Sequence, residues 1–486
     1  MGCRLRPVPT KQKPTSVARH WNNQWEVIRR ERTSLWRRLS APQLFAGSFL
    51  LLILLGTLGL KTLPGLYTGE PLSWLDALFT SASAVCVTGL IVVDTATYFT
   101  FRGQAFLLLL IQLGGLGMIT FTTLIILVLR RRLSLRHEQL TSVAEVAPHV
   151  NFQRLTRDVI VFTGLFELAG ATLLYLLWIP RFGWQGAAWP ALFHSISAFC
   201  NAGFSIFSDS LAGFQRAPVT LLIVMLLIVA GGLGFLTLEE LYLRQRAIKE
   251  QRRFRISLHS RLVLTATVTL LIGAWILYTA FEWRLTLAEI PIWAKPFNSL
   301  FMSVSARTAG FNTIDYEAAS ASTNFLTILL MAVGGAPGST AGGLKVTTMA
   351  LLVLLAWSRF RGRDIASLWG RSVPEETMQR AVGLFVVGFV VLTAAIFALI
   401  SLELSGSHAS GLRSFLHYMF EATSAFNTVG LSMGVTGELE PASRWLSIVL
   451  MYVGRIGPLT FAAAIALASY SPRGEFRFAY EDVVVG

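Results

Sequence analysis

Charge is what this chain of 486 residues has least of. Asp, Glu, Lys and Arg together make up 14%, against about 25% in soluble domains. That shortage argues against a string of soluble domains. The 53% hydrophobic content, with 33 Phe, excludes a disordered chain. Cysteine is nearly missing: Cys3, Cys86 and Cys200 are too few for a disulfide framework. The seven histidines form no His-x-x-x-His pair, and there is no phosphate-binding loop, dinucleotide fingerprint, metal-ligand cluster or pair of catalytic carboxylates. Neither enzymatic chemistry nor a resident cofactor is therefore expected. No apolar stretch follows the first charges and Met1-Gly2-Cys3-Arg4-Leu5-Arg6 lacks the hydroxyl residue of a myristoylation signal, so no cleavable leader or lipid anchor is expected. What these absences leave is an all-α polytopic membrane protein.

The formal net charge of +14 would indicate nucleic acid in a soluble protein. Here position decides. Most Lys and Arg residues fall in clumps before residue 41 and within 130–157, 244–261 and 359–380, between apolar runs. The positive-inside rule assigns those clumps to the cytoplasm, which makes both termini cytoplasmic and the number of spans even. Runs long enough to cross about 30 Å of hydrocarbon lie near 43–65, 104–129, 157–180, 217–243, 261–282, 324–357, 379–404 and 442–470. Eight spans are expected. The outer segments between them are half-apolar and rich in Ser, Ala, Gly and Phe, too short to span and too apolar for solvated loops, which marks them as re-entrant. Residues 1–40 form a basic N-terminal segment in which Trp21, Trp25, Ile28, Leu35 and Trp36 recur at near-helical spacing; it reads as an amphipathic helix on membrane lipid, or as a docking surface for a cytoplasmic partner. Residues 471–486 read as a cytoplasmic tail.

The outer segments repeat. Phe79-x-x-x-Ser83-Ala84 leads to Val87-Thr88-Gly89-Leu90, and Phe193-x-x-x-Ser197-Ala198 leads to Asn201-Ala202-Gly203-Phe204. Phe301-x-x-x-Ser305-Ala306-Arg307 leads, one residue sooner, to Thr308-Ala309-Gly310-Phe311, and Phe420-x-x-x-Ser424-Ala425 leads to Asn427-Thr428-Val429-Gly430-Leu431. Asp94, Asp209 and Asp315 follow the first three glycines. A second site recurs in the next span: Gly114-Gly115, Gly231-Gly232, Gly334-Gly335 and Gly454-Arg455 lie 24 to 28 residues after the respective loop glycines. The unit is span, pore loop, span, four times over: 41–130, 155–243, 261–357 and 379–470, in a pseudo-fourfold arrangement around a central ion pore.

Four such units around an axis would bring four glycine loops to its centre, each after a short helix whose negative C-terminal end points inward. Extended backbone there can turn carbonyls toward a dehydrated cation, and glycine permits the positive φ this needs. The alternative is that Gly89, Gly203, Gly310 and Gly430 merely allow close helix packing.

From about residue 40 to 470 the chain resembles the Trk/Ktr/HKT superfamily of cation transporters, most of all the ion-translocating membrane subunit of Ktr-type bacterial potassium uptake systems. The matching motifs are the four glycine loops above, with Asp94 and Asn312-Thr313, and Gly334-Gly335-Ala336-Pro337-Gly338-Ser339-Thr340-Ala341-Gly342-Gly343. A basic segment stands where Trk subunits carry two further spans, which favours the Ktr branch. The resemblance implies a potassium filter at Val87, Thr88, Gly89, Asn201, Ala202, Gly203, Thr308, Ala309, Gly310, Thr428, Val429 and Gly430. Four glycines imply K+ as the transported ion, whereas a serine in the first loop marks relatives that prefer Na+. It also implies a homodimer in a bacterial plasma membrane, resting on a separate nucleotide-binding regulatory subunit.

Five glycines and a proline within 334–343 cannot stay helical. The resemblance makes this stretch an intramembrane gating loop, with Gly334, Gly335, Pro337, Gly338, Gly342 and Gly343 breaking the helix, Ser339 and Thr340 ordering water, and Lys345 at its end; a kink with no moving part is the plain alternative. Arg455, well inside an apolar span, is either a positive barrier in the cation path or a structural partner of an acid or of backbone carbonyls. Glu167 is its candidate partner, or a polar helix contact. Arg307 and Glu421 read as scaffold for the filter, and Asp94, Asp209 and Asp315 as cation attractors or as turn caps. Two further readings stay open: a sodium-coupled or sodium-carrying member of the superfamily, and a secondary transporter of a small solute.

Overall fold

The computed structural model describes residues 41–117, 152–404 and 415–457, and those residues are mostly helical. The expected N-terminal amphipathic helix, the C-terminal tail, and the far ends of the second and eighth expected spans lie outside them. In chain order the helices are α1 (Ala41–Thr62), α2 (Trp74–Val85), α3 (Phe101–Gly117), α4 (Phe152–Phe199), α5 (Pro218–Gly232), α6 (Phe235–Lys249) and α7 (Leu258–Glu282). Then come α8 (Lys295–Ser305), α9 (Ala321–Met331), α10 (Val346–Phe360), α11 (Glu375–Leu404), α12 (Phe415–Phe426) and α13 (Pro441–Ile456).

Local chemistry sets the ends. Ser73, Ser257 and Ser320 cap α2, α7 and α9, each hydroxyl accepting the N–H three residues on at 3.1–3.2 Å. Pro218 and Pro441 open α5 and α13 in the first helical turn, where a missing N–H costs nothing. Among the described residues four helices are long and apolar enough to cross a bilayer, starting at Gln43, Arg157, Leu258 and Glu375. They leave rows of large apolar side chains exposed, among them Leu51, Leu54, Leu55 and Leu58 on α1 and Phe389, Val390 and Phe397 on α11. Hydrocarbon rather than water accounts for such surfaces.

Several sequence expectations are sharpened. The third expected span and the second pore helix form one element, α4, broken at Gly183, whose φ of 73° and ψ of 171° lie far from helical values. The fourth expected span is not straight: α5 and α6 meet at 103°. The cause is Gly231-Gly232-Leu233-Gly234, where Gly234 takes φ 80°. The sixth is interrupted between α9 and α10, where the glycines required it. One element departs from the all-α expectation, a tight hairpin pairing Ser367–Leu368 with Arg371–Ser372.

Short helices α2, α8, α12 and the last limb of α4 form the interior. The motif phenylalanines Phe79, Phe193, Phe301 and Phe420 are all fully buried. Each of α2, α8 and α12 packs on the long helix before it in sequence, and α8 and α12 also pack on α5 and α9 from the preceding segment. The last of the described helices, α13, packs on α2, so the fourth short-helix unit meets the first. Arg444 fastens that seam to Asp76 at 2.6 Å.

Candidate ion pathway

The C-termini of the four short helices lead directly into four loops of one design. Val87, Asn201, Thr308 and Thr428 have φ of 55°, 58°, 67° and 50°, and the glycines two positions on, Gly89, Gly203, Gly310 and Gly430, have φ of 94°, 69°, 81° and 92°. A β-branched residue in this region is uncommon and strained. The motif serine holds the strain in place. Ser83 Oγ donates to the Leu90 carbonyl at 2.7 Å and accepts the Gly89 N–H at 3.1 Å. Ser197 Oγ donates to Phe204 O at 2.7 Å, Ser305 Oγ to Phe311 O, and Ser424 Oγ accepts the Gly430 N–H at 3.1 Å. The sequence shows these serines in every copy without indicating a role; their recurrence five or six residues before each glycine was the available signal.

The loops touch in cyclic order. A Cβ on Gly89 would strike the Ala202 carbonyl; on Gly203, it would lie 2.8 Å from Gly310 Cα; on Gly310, 2.5 Å from the Val429 carbonyl; on Gly430, against the Thr88 carbonyl. Each glycine thus faces backbone of the next loop, and the fourth returns to the first. Above this ring opens a cavity of about 280 Å³ lined by all four glycines and by Asp94, Ser205, Asn312 and Ser432.

Of the three candidate mouth acids, only Asp94 lines the cavity. It caps a helical turn at Ala96 N (3.0 Å) and accepts a 2.6 Å bond from Ser208 of the second loop. Asp315 accepts the Glu317 N–H in a turn, and the Asp209 carbonyl accepts that of Ala212. Both lie outside the cavity; the turn-cap reading describes Asp315, whose carboxylate takes the bond, whereas at Asp209 the acceptor is the backbone carbonyl.

Residues 332–345, between α9 and α10, fold as a pinched loop. Gly334 N–H meets the Leu344 carbonyl at 2.8 Å and Val346 N–H meets that of Gly335 at 3.0 Å. The loop nests in the α5–α6 bend through Ala336 N to Gly232 O (2.9 Å), Thr340 N to Gly231 O (3.2 Å) and Phe235 N to Gly338 O (3.1 Å). Pro337 and Gly338 turn at the bend. Gly342 and Gly343 lie so close to Thr428 and Asn427 that a Cβ on either would collide. The Thr340 hydroxyl donates to Phe199 O, the last carbonyl of α4, at 3.1 Å; the Ser339 hydroxyl donates to Ala336 O at 2.6 Å; Lys345 Nζ donates to Ala341 O at 2.7 Å. Both hydroxyls expected to order water are therefore committed to backbone carbonyls.

Arg455, 1% exposed, secures the loop's tip. Its guanidinium donates to Thr340 O at 2.5 Å and to Gly114 O at 3.2 Å. Of the open readings for its partner, carbonyls are what the structure holds. Glu167 instead accepts from Gln112 Nε2 at 3.0 Å, a polar contact between α4 and α3. Arg307 reaches Gly334 O at 3.3 Å, so it braces the start of the loop, while Glu421 accepts from Ser432 and Thr436 below the cavity wall. The second-site glycines follow from close approach: a Cβ on Gly114, Gly231 or Gly454 would strike the carbonyl of Val85, Phe199 or Phe426 at the end of a short helix.

Residues 48–473 match the TrkH family of cation transport proteins. The chain is 37% identical to the Ktr system potassium uptake protein B of Bacillus subtilis over 92% of its own length and 99% of that protein's. It is 36% identical to the potassium/sodium uptake protein NtpJ of Enterococcus hirae, over 93% and 98% respectively. The crystal structure of the potassium transporter TrkH from Vibrio parahaemolyticus superposes with a TM-score of 0.67 at 18% identity, covering 86% of this chain and 82% of that one, which shows a shared fold. The exposed apolar helices, the ring of glycine loops and these relatives lead to one conclusion: the chain belongs to the TrkH family of cation transport proteins, and is a multi-pass membrane transporter rather than an enzyme.

Proposed function

We propose that this protein is the ion-translocating subunit of a potassium uptake system. Eight spans in four span–loop–span units would surround one pore, with K+ partly dehydrated at Val87-Thr88-Gly89, Asn201-Ala202-Gly203, Thr308-Ala309-Gly310 and Thr428-Val429-Gly430. The observation that carries this reading is the closed ring of four loops with paired positive φ values. Alternating left- and right-handed residues turn successive carbonyls to one side, as a ring of cation ligands requires. Helix C-termini aimed at the ring add negative potential. Beneath it, residues 334–345 and Arg455 act as the gate, which must leave the axis for ions to pass. Inward flow is driven by the membrane potential, worth about 2.3 kcal/mol per charge per 100 mV. The protein works as a homodimer in a bacterial plasma membrane with both termini cytoplasmic, on a nucleotide-binding regulatory subunit supplied as a separate chain.

Growth at low external potassium of a bacterium lacking its own uptake systems tests this. The strain expresses the chain with a Ktr-type regulatory subunit, beside the same pair carrying Gly310→Asp. Rescue by the unaltered chain alone supports potassium uptake through the third loop. The name of the Enterococcus relative, which includes sodium, favours the second reading: sodium influx without potassium rescue would put it first.

A further inference from the structure

An apolar trough lies away from the pore, where the end of α10 passes the start of α7 and the 367–372 hairpin. Leu262, Val353, Leu354, Trp357, Phe360 and Leu368 line it, and it measures about 680 Å³. Phe360 is 86% exposed and Val353 64%. Two arginines flank residues of the trough. Arg361 lies over the Trp357 ring, 4.6 Å from its centroid. Arg371 stands directly opposite Leu368 in the hairpin, and directly opposed residues share a face of the ladder, so Arg371 projects on the side of the trough. Neither arginine makes an ion pair among the described residues; Arg359 nearby is matched by Asp364 at 3.1 Å.

We propose that this trough binds one anionic phospholipid, its acyl chain along Val353, Trp357 and Phe360 and its phosphate between Arg361 and Arg371. Charge complementarity selects this occupant. An open apolar trough flanked by two guanidinium groups without an ion pair among the described residues matches an anionic amphiphile, and arginine takes phosphate through a two-pronged hydrogen-bonding edge. A second copy of the chain docked by the same patch would bring a second cationic rim against the first. The trough has a bearing on transport, because α10 is the direct continuation of residues 332–345: its cap is Lys345, which holds the Ala341 carbonyl. A lipid that fixes α10 fixes one end of that loop. The inference requires only that α7 and α10 lie in a bilayer, and it is independent of which cation is carried.

The full chain is purified in mild detergent, mixed with graded phosphatidylglycerol or phosphatidylcholine, and examined by native mass spectrometry for retained lipid. Two cations, each worth about a factor of five at an anionic surface, give a preference of about 30-fold for phosphatidylglycerol. R361A/R371A should abolish the preference, R361K/R371K should keep much of it, and Ala356→Trp, which fills the trough, should lower retention of both lipids. Equal retention of the two lipids by the unaltered chain overturns the proposal, as does a preference that survives R361A/R371A. Loss of dimer in Ala356→Trp with lipid retention unchanged would assign the trough to a second copy, and also overturns it. A melting temperature measured beside each variant separates loss of the site from loss of the fold.

Discussion

Gly203→Ala isolates the physical idea on which the pore reading rests. The added methyl would lie 2.8 Å from Gly310 Cα, 3.0 Å from the Ala309 carbonyl oxygen and 3.1 Å from Gly310 C. All three are backbone atoms, so no side chain can swing aside. The residue also sits at φ 69°, where an L-residue costs about 1–2 kcal/mol. The contacts demand a shift of a few tenths of an ångström in the third loop, and that shift moves the carbonyls of Ala309 and Gly310 themselves. If ions are held by those carbonyls, a loss of about 1.4 kcal/mol in ion affinity gives a tenfold loss at subsaturating potassium. Gly164→Ala in α4 is the matched control, since a Cβ there meets nothing within 4 Å. Both are reconstituted in vesicles and rubidium-tracer uptake is followed at low and at saturating potassium. The expected result is at least tenfold slower uptake at low potassium for Gly203→Ala, with Gly164→Ala unchanged and both proteins eluting as the unaltered chain does. Wild-type uptake and ion preference in Gly203→Ala would refute the view that this close backbone approach sets the ion sites.

Four further outcomes follow from named contacts. Arg455→Ala removes charge-assisted bonds to Thr340 O and Gly114 O, each worth about 1.5–3 kcal/mol, so partner-free vesicles should show uptake raised about tenfold or more; slower uptake would contradict a latch. Glu167→Gln keeps a polar contact to Gln112 and pairs with nothing at Arg455, so tracer flux should stay within about twofold of the unaltered chain, which a true Glu167–Arg455 pair would not allow. Ser197→Ala leaves the Phe204 carbonyl without its hydroxyl donor, a cost of about 1–3 kcal/mol, visible as weaker discrimination against sodium in competition uptake. Arg444→Gln breaks the partly buried bond to Asp76 at about 2 kcal/mol, and should lower the melting temperature in detergent without altering ion preference.

Much of the site was legible because it is made by backbone, and backbone geometry constrains sequence. Gly89, Gly203, Gly310 and Gly430 occupy positive-φ positions packed against neighbouring backbone, where a side chain is strained and crowded, so the fourfold pattern survives in the text of the chain. The glycines of 334–343 announced a break, whereas those of 231–234 read as part of an unbroken span, and the 103° turn there is a tertiary quantity that no local pattern contains. Val87 was illegible: a β-branched side chain gives no hint of positive φ, and the contacts that force it come from Ser83 and the loop's neighbours. The partners of Arg455 were equally hidden, because carbonyls of Thr340 and Gly114 exist whatever the side chain. Asp315 illustrates an ambiguity of chemistry, since capping a turn and attracting a cation call for the same residue type, and position relative to the cavity separates the two.

The seam between α2 and α13 bears on how the protein is made. Asp76 and Arg444 are 368 residues apart, and synthesis at about 5–20 residues per second puts roughly 20–70 seconds between them. Until the fourth loop is made, the first lacks the neighbour that Gly430 brings against Thr88 and Gly89, and its ring stands open on that side. The first hairpin must therefore wait in the bilayer, half-assembled, for the last to arrive. A nascent chain stalled before residue 441 should keep Cys86, fully buried in the finished ring, open to a membrane-permeant thiol reagent, and release of the stall should close it.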